Sequence, residues 1–209
     1  MPRQLRKVLI VSAALGSSMW AREPDTTIAV LVYNYASLQP KELAQTERGA
    51  ATIYERAGIA IEWLDCPLSS KEAALYPACP IQPGPDNLIT RFLPQALAER
   101  LPRVQDRFGF AMLADDGGFA MTANVFTDTV LNIGSDRETV LGAVVAHELG
   151  HLLLGAHSHS QTGVMRSHWY HGELRTIAQH ALSFTPGQAE QLRANIRSRK
   201  RRALTAGQR

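Results

Sequence analysis

No apolar run in this chain of 209 residues approaches the roughly 18 residues that a membrane-crossing helix needs. No repeat of fixed period is visible, and no low-complexity linker divides the chain. With 45% hydrophobic residues, it reads as one globular domain with a full core and short tails. Cysteine is scarce: Cys66 (LDCP) and Cys79 (PACP) stand 13 apart in a proline-bearing segment. Two isolated cysteines exclude a zinc knuckle. In an exported chain an even count reads as one disulfide pinning that loop, with two free buried thiols as the alternative. An excess of positive charge is also missing from the body. The net charge is +3, but Arg3, Arg6 and Lys7 lie at the start and six basic residues lie from Arg197 onward. The remaining body holds 13 basic and 19 acidic residues, about −6 net, which argues against nucleic acid as a partner. The basic end reads as a solvated helix end.

The first 21 residues have the composition of an export signal. The basic start is followed by an apolar core, Val8 to Leu15, and then by small residues, Gly16, Ser17, Ser18 and Ala21. The expected division is therefore 1–21 signal peptide, 22–200 one folded domain and 201–209 basic tail, with a periplasmic or secreted location. No cysteine precedes the first strand, so a cysteine-based pro-segment lock is not expected.

Residues 28–35 (IAVLVYNY) are rich in β-branched and aromatic side chains and read as a strand. Residues 40–57 read as a helix with Pro40 in its first turn and Gly58 as its stop, and 59–64 as a second strand. That order suggests a βαβ unit with parallel strands. Residues 65–86 read as a loop, 88–93 as a third strand and 94–107 as holding a short helix. Residues 108–114 and 119–126 read as an antiparallel pair about a DDGG turn at 115–118, at a sheet edge. Ser135 and Glu138 form a capping box that opens a long apolar helix, and Gly155 suits the position just past its end. A last helix is expected from Thr185-Pro186, with Gln188 completing a second capping box.

The long helix carries HELGH. His147 and His151 lie four apart, just over one turn, so both rings project from one face. Two imidazoles so placed can bind one zinc ion, and Glu148 between them is the candidate general base for a zinc-activated water. The helix is otherwise apolar, so buried histidines and a buried glutamate need partners, and a metal supplies them.

HELGHLLLGAH resembles the extended zinc motif of the metzincin metallopeptidases, H-E-x-x-H-x-x-G-x-x-H, whose third histidine follows a glycine that turns the chain back under the metal. Gly163-Val164-Met165 resembles their Met-turn, and His157 precedes Met165 by eight residues, as in the matrixin branch. The element order before the helix is similar too. The resemblance spans most of 28–200 in order, but only 147–165 in specific motif. It implies an α+β metzincin-like domain: a twisted mixed sheet with an edge strand, an active-site helix, a Met-turn and a C-terminal helix. It also implies Zn2+ as cofactor, peptide or protein substrates and endopeptidase activity.

One departure bears on the third ligand. The family glycine falls at Leu154, and the glycine comes one residue later, at Gly155. A later turn favours His159 as third ligand, with His157 as the alternative. The whole string is also similar to uncharacterised exported bacterial proteins in which the recurring histidine precedes the second serine of S-H-S. Met165 is expected as an apolar floor rather than a ligand. Arg166 to Tyr170 are expected to wall the pocket for the substrate side chain after the scissile bond, with a metal role for Tyr170 the lesser reading. His168, His171 and His180 read as surface residues. Glu173, 22 residues past His151, is a rival third ligand that the nearer histidines make weak. The strand pair at 108–126 is expected to rim the cleft and to take up an extended peptide. A monomer is expected. The competing reading is a non-catalytic exported binding protein with zinc as a fold staple.

Overall fold

The computed structural model describes residues 26–80, 82–98, 100, 108–113, 121–128, 137–169 and 171–206. The signal segment 1–21, the DDGG turn, Ser135, Tyr170 and most of 99–107 lie outside them.

The β-branched run Thr27–Asn34 forms β1, and its middle residues Val30, Leu31 and Val32 are buried on both faces, as in an inner strand of a parallel sheet. Helix α1 follows over Pro40–Arg56. Proline suits this first position because its missing N–H would lack a helical partner anyway. The Glu42 carboxylate accepts from the Gln39 N–H at 2.9 Å, which satisfies one of the free donors at this end. Gly58, at φ +74°, turns the chain out of the helix, and Ala60–Asp65 (β2) returns parallel to β1. Asn87–Leu93 (β3) joins the other side of β1, again parallel. A single helical turn, Gln95–Ala98 (α2), is the described part of the helix expected at 94–107. Gly109–Met112 (β4) and Thr122–Phe126 (β5) pair antiparallel, shorter than the runs read from the sequence, and β5 lies parallel to β3. The result is a five-stranded mixed sheet in the order β2-β1-β3-β5-β4.

One face of this sheet carries the main core. Arg137–Leu154 (α3) and α1 lie together on it, and α3 is buried almost all round. The two helices cross at glycine. A Cβ on Gly142 would stand 2.8 Å from the Thr46 carbonyl oxygen and 3.0 Å from the Gly49 Cα, so only glycine permits this approach. Deeper along the contact, the buried Tyr54 hydroxyl donates to the Ala146 carbonyl at 3.2 Å. The opposite face carries Leu31 and Ile89, covered by the loop after β2. That loop holds a short 3₁₀ helix, Ser70–Leu75, and is closed by a Cys66–Cys79 disulfide.

Beyond α3 the chain forms α4 (His171–Ala178), which the sequence reading did not foresee, and α5 (Pro186–Ala206). The last helix runs through residue 200 without a break. Arg199, counted above with the solvated basic end, turns inward and is 2% exposed. Its guanidinium donates to the Leu152 carbonyl at 2.8 Å and the Pro85 carbonyl at 3.1 Å. Asn195, one turn earlier, donates to the Leu153 carbonyl at 2.6 Å. The Leu152 and Leu153 carbonyls belong to the last turn of α3 and have no partner within their own helix. Side chains of α5 therefore cap α3 from outside. Burial pushes the Arg199 pKa down to about 10, which still leaves it charged at neutral pH.

Arg199→Met removes the donor from two carbonyls and is expected to cost about 1–3 kcal/mol, read by urea unfolding; an unchanged midpoint would refute the capping role. A second prediction concerns Glu47, whose carboxyl is pushed up to about 7 by burial first and by Asp65 next, with Arg48 opposing. Its folded pKa is raised, so the stability it contributes is complete below pH 4.5 and lost as pH rises towards 7. Glu47→Gln is therefore expected to match the parent at pH 4 and exceed it at pH 8, by about 1 kcal/mol after screening of this partly exposed group. Equal stability at both pH values would contradict it.

Candidate metal centre

The site is built at the C-terminal half of α3. His147 and His151 project from it one turn apart, towards the cleft along β4. The helix ends at Leu154, and Gly155 takes the left-handed conformation at φ +94°, its N–H donating to the His151 carbonyl at 2.9 Å. This reversal brings His159 under the helix. The His151 Nε2 lies 3.0 Å from the His147 Nε2 and 3.1 Å from the His159 Nε2. His157, two residues past the glycine, is exposed and stands outside this cluster. Among the described residues, His147, His151 and His159 are the group of three whose ligand atoms converge, all within 4.8 Å of one another.

The other nitrogens of the two helix histidines are spoken for. The His147 Nδ1 lies 2.7 Å from the Val164 carbonyl, which can only accept, so Nδ1 carries the proton. The His151 Nδ1 lies 3.0 Å from the Ser158 hydroxyl and 3.4 Å from the Gly155 carbonyl. Because that hydroxyl donates to Gly155 at 2.7 Å, it offers His151 a lone pair, and this Nδ1 carries its proton too. Both Nε2 atoms therefore present lone pairs to each other. Burial, the largest influence, pushes the His147 pKa down to about 4 against the Val164 hydrogen bond, which raises it. Burial lowers His151 as well. The rings are thus neutral at pH 7, the state in which imidazole binds metals.

Lone pairs facing at 3.0 Å repel unless a cation lies between them. Tetrahedral zinc with Zn–N of about 2.0–2.1 Å sets its nitrogens about 3.3–3.4 Å apart. The two spacings at His151 are close to that edge, so His147, His151 and His159 would fit one zinc ion.

Val164 is held from the other side by the turn that follows. Gly163 adopts φ +81°, and a Cβ there would meet the Ser183 carbonyl oxygen at 2.5 Å. Met165 is wholly buried below α3, its sulfur 2.5 Å from where a Cβ on Gly150 would stand. Gly150, between His147 and His151 in sequence, thus makes room for Met165.

Glu148 is buried, 6% exposed, and lines the cleft beside the histidines. Its side chain lies against β4. A Cβ on Gly109 would stand 3.0 Å from the Glu148 Cγ, 3.2 Å from its Oε1 and 2.5 Å from the Asn124 carbonyl oxygen. The cleft has a volume of about 570 Å³. Its apolar wall includes Val144, Phe108 and Trp169; the last two rings stack at 6.2 Å, and Trp169 also meets the His147 ring edge-on at 5.8 Å. Arg166 lines the cleft and forms an ion pair with Glu173 of α4. Glu173 stands outside the histidine cluster. His168 and His180 are exposed. Ser158, Gly109 and the Val164 carbonyl were not anticipated: a serine beside a histidine, a glycine in a strand and a main-chain oxygen have no spacing pattern of their own.

No protein-family model matches the chain, and no curated protein matches it. Among solved structures it is similar to the crystal structure of archaemetzincin from Methanopyrus kandleri, at 16% identity and a TM-score of 0.49, over 82% of this chain and 96% of that one.

Gly109→Ala is expected to cost about 1–3 kcal/mol through overpacking against Asn124 and Glu148, measured by urea unfolding; a neutral substitution would mean that β4 can retreat without cost.

Proposed function

We propose that the chain is a zinc-dependent endopeptidase in which His147, His151 and His159 hold the metal and Glu148 is the general base. The observation that carries this reading is the pair of imidazole lone pairs at 3.0 Å, with a third histidine and a buried carboxylate beside them. Bound zinc supplies a Lewis acid that acidifies water and polarises a carbonyl. Glu148 takes the proton released as water attacks and hands it to the departing amine. Its burial against Gly109 keeps the carboxylate in one position at the cleft.

The substrate is an extended peptide. The last strand of the sheet, β4, lines the cleft and offers main-chain hydrogen bonds, which select length rather than sequence. Selectivity comes from the pocket bounded by Val144, Phe108 and Trp169, which suits an apolar side chain after the scissile bond. Export is part of the same proposal: the Cys66–Cys79 disulfide is compatible with an oxidising compartment, and residues 1–21 have the composition of a signal. A zinc-stapled binding protein would have no use for a buried glutamate lining the cleft beside the histidines.

The test joins metal content to cleavage. Glu148→Ala is expected to keep one zinc per chain and the parent's thermal midpoint, while cleavage of a mixed peptide library, followed by mass spectrometry, falls by at least about 10²-fold. His159→Ala is expected to lose the zinc and His157→Ala to keep it, by elemental analysis. Undiminished cleavage by Glu148→Ala would sink the enzymatic assignment, and zinc lost only from His157→Ala would sink the ligand assignment.

A further inference from the structure

We propose that Ser158, held in place by Gln188 of α5, is a positioning residue that sets the metal affinity of the site without touching the metal. The inference rests on the zinc reading above and concerns how this chain keeps its ligands ready.

Ser158 lies between His157 and His159, in the segment that departs from the metzincin spacing. Its hydroxyl has one proton, given to the Gly155 carbonyl at 2.7 Å. Its oxygen then accepts from the His151 Nδ1–H at 3.0 Å. One side chain thus does two things. It closes the turn that carries His159 back under α3, and it holds His151 in the tautomer and orientation that leave Nε2 free. For His147 the same task falls to a main-chain oxygen, that of Val164. For His151 the nearer acceptor is a side chain, with the Gly155 carbonyl farther off at 3.4 Å, so its orientation can be weakened by substitution.

Ser158 is itself anchored. Its carbonyl accepts from the Gln188 Nε2 at 2.9 Å. The Gln188 Oε1 accepts from the Thr185 N–H at 3.1 Å, while the Gln188 N–H donates to the Thr185 hydroxyl at 3.3 Å. The capping box of α5 therefore uses one end of the Gln188 amide to close its helix and the other to hold the ligand loop. Further along α5, Asn195 and Arg199 grip the end of α3. From α3 through the loop to α5 and back, the path is closed by hydrogen bonds. None of these hydrogen bonds uses an Nε2 atom of the three histidines, so they order the loop through contacts separate from the metal, which favours affinity.

Partners of this kind typically account for 10- to 100-fold in metal affinity. The experiment measures zinc dissociation constants by competition with a chromophoric chelator, on the full mature chain, for the parent, Ser158→Ala, Ser158→Thr and Gln188→Glu. The unfolding midpoint of each metal-free protein and the visible spectrum of each cobalt-substituted protein are recorded alongside. Ser158→Ala is expected to bind zinc about 10- to 100-fold more weakly, with an altered cobalt spectrum and an unchanged metal-free midpoint. Ser158→Thr, which keeps the hydroxyl, is expected to restore most of the affinity. Gln188→Glu keeps the acceptor that caps α5 but loses the donor to Ser158, and is expected to weaken zinc binding with the helix intact. Parent-like affinity in Ser158→Ala overturns the proposal while leaving the zinc reading standing. If Ser158→Ala is also less stable without metal, Gln188→Glu decides, and parent-like affinity there overturns the proposal. A parent that binds no zinc overturns both.

Discussion

Two histidine nitrogens face each other across 3.0 Å, each with its ring proton committed to the far side. That opposition is the constraint on which the rest depends. It exists because one helix turn separates the rings, because both are only partly open to the cleft, and because an acceptor waits behind each Nδ1. Removing any of the three lets the rings relax into ordinary side-chain hydrogen bonding. The third histidine enters by a sharp reversal at Gly155, and its approach to within 3.1 Å of the His151 Nε2 completes a donor set of one chemical type.

Much of the fold can be understood as support for this opposition. The sheet gives α3 an apolar bed, and the glycine crossing with α1 allows it to sink far enough to be buried almost all round. The turn at Gly163 presents the Val164 carbonyl from below and lays Met165 against Gly150. From the far end, α5 meets the bare carbonyls of the last turn of α3 with Arg199 and Asn195. The helix that carries His147 and His151 is therefore held along its C-terminal half by groups outside it. The cleft follows from the opposite arrangement. Among the described residues β4 is the edge strand beside β5, and its Gly109 allows the Glu148 side chain to lie against it.

Much of this was legible in the linear chain. The β-branched run at 28–35, the capped helix at Pro40, the apolar helix through HELGH, and the pair of glycines at 155 and 163 each rest on local chemistry: φ freedom, alternation and helical period. Those rules act over a few residues, and there the reading and the structure agree on which elements exist. Strand ends and α4 escaped it. The α4 segment HGELRTIA has too short a period to stand out from a loop, and it is helical where Ile177 can bury in the core. Arg199 escaped it for a related reason: within a basic run, nothing local separates the one arginine that meets unpaired carbonyls from its solvated neighbours.

By itself the sequence determined the chemistry on offer: two imidazoles one turn apart, a carboxylate between them, a glycine to end the helix, and further histidines within reach. It left His157 and His159 as alternatives, because spacing along a chain does not say where a reversed loop points. Tertiary structure alone decided that His159 lies against the helix pair and His157 in solvent. It did so through the left-handed Gly155, the Ser158 hydroxyl and the grip of α5 on the loop, contacts between residues up to 30 apart. The physical reason is one of range. Covalent geometry and helical period bring together groups that are neighbours in sequence. A donor set that closes around one point in space needs the packing of the whole domain to hold its last member in place.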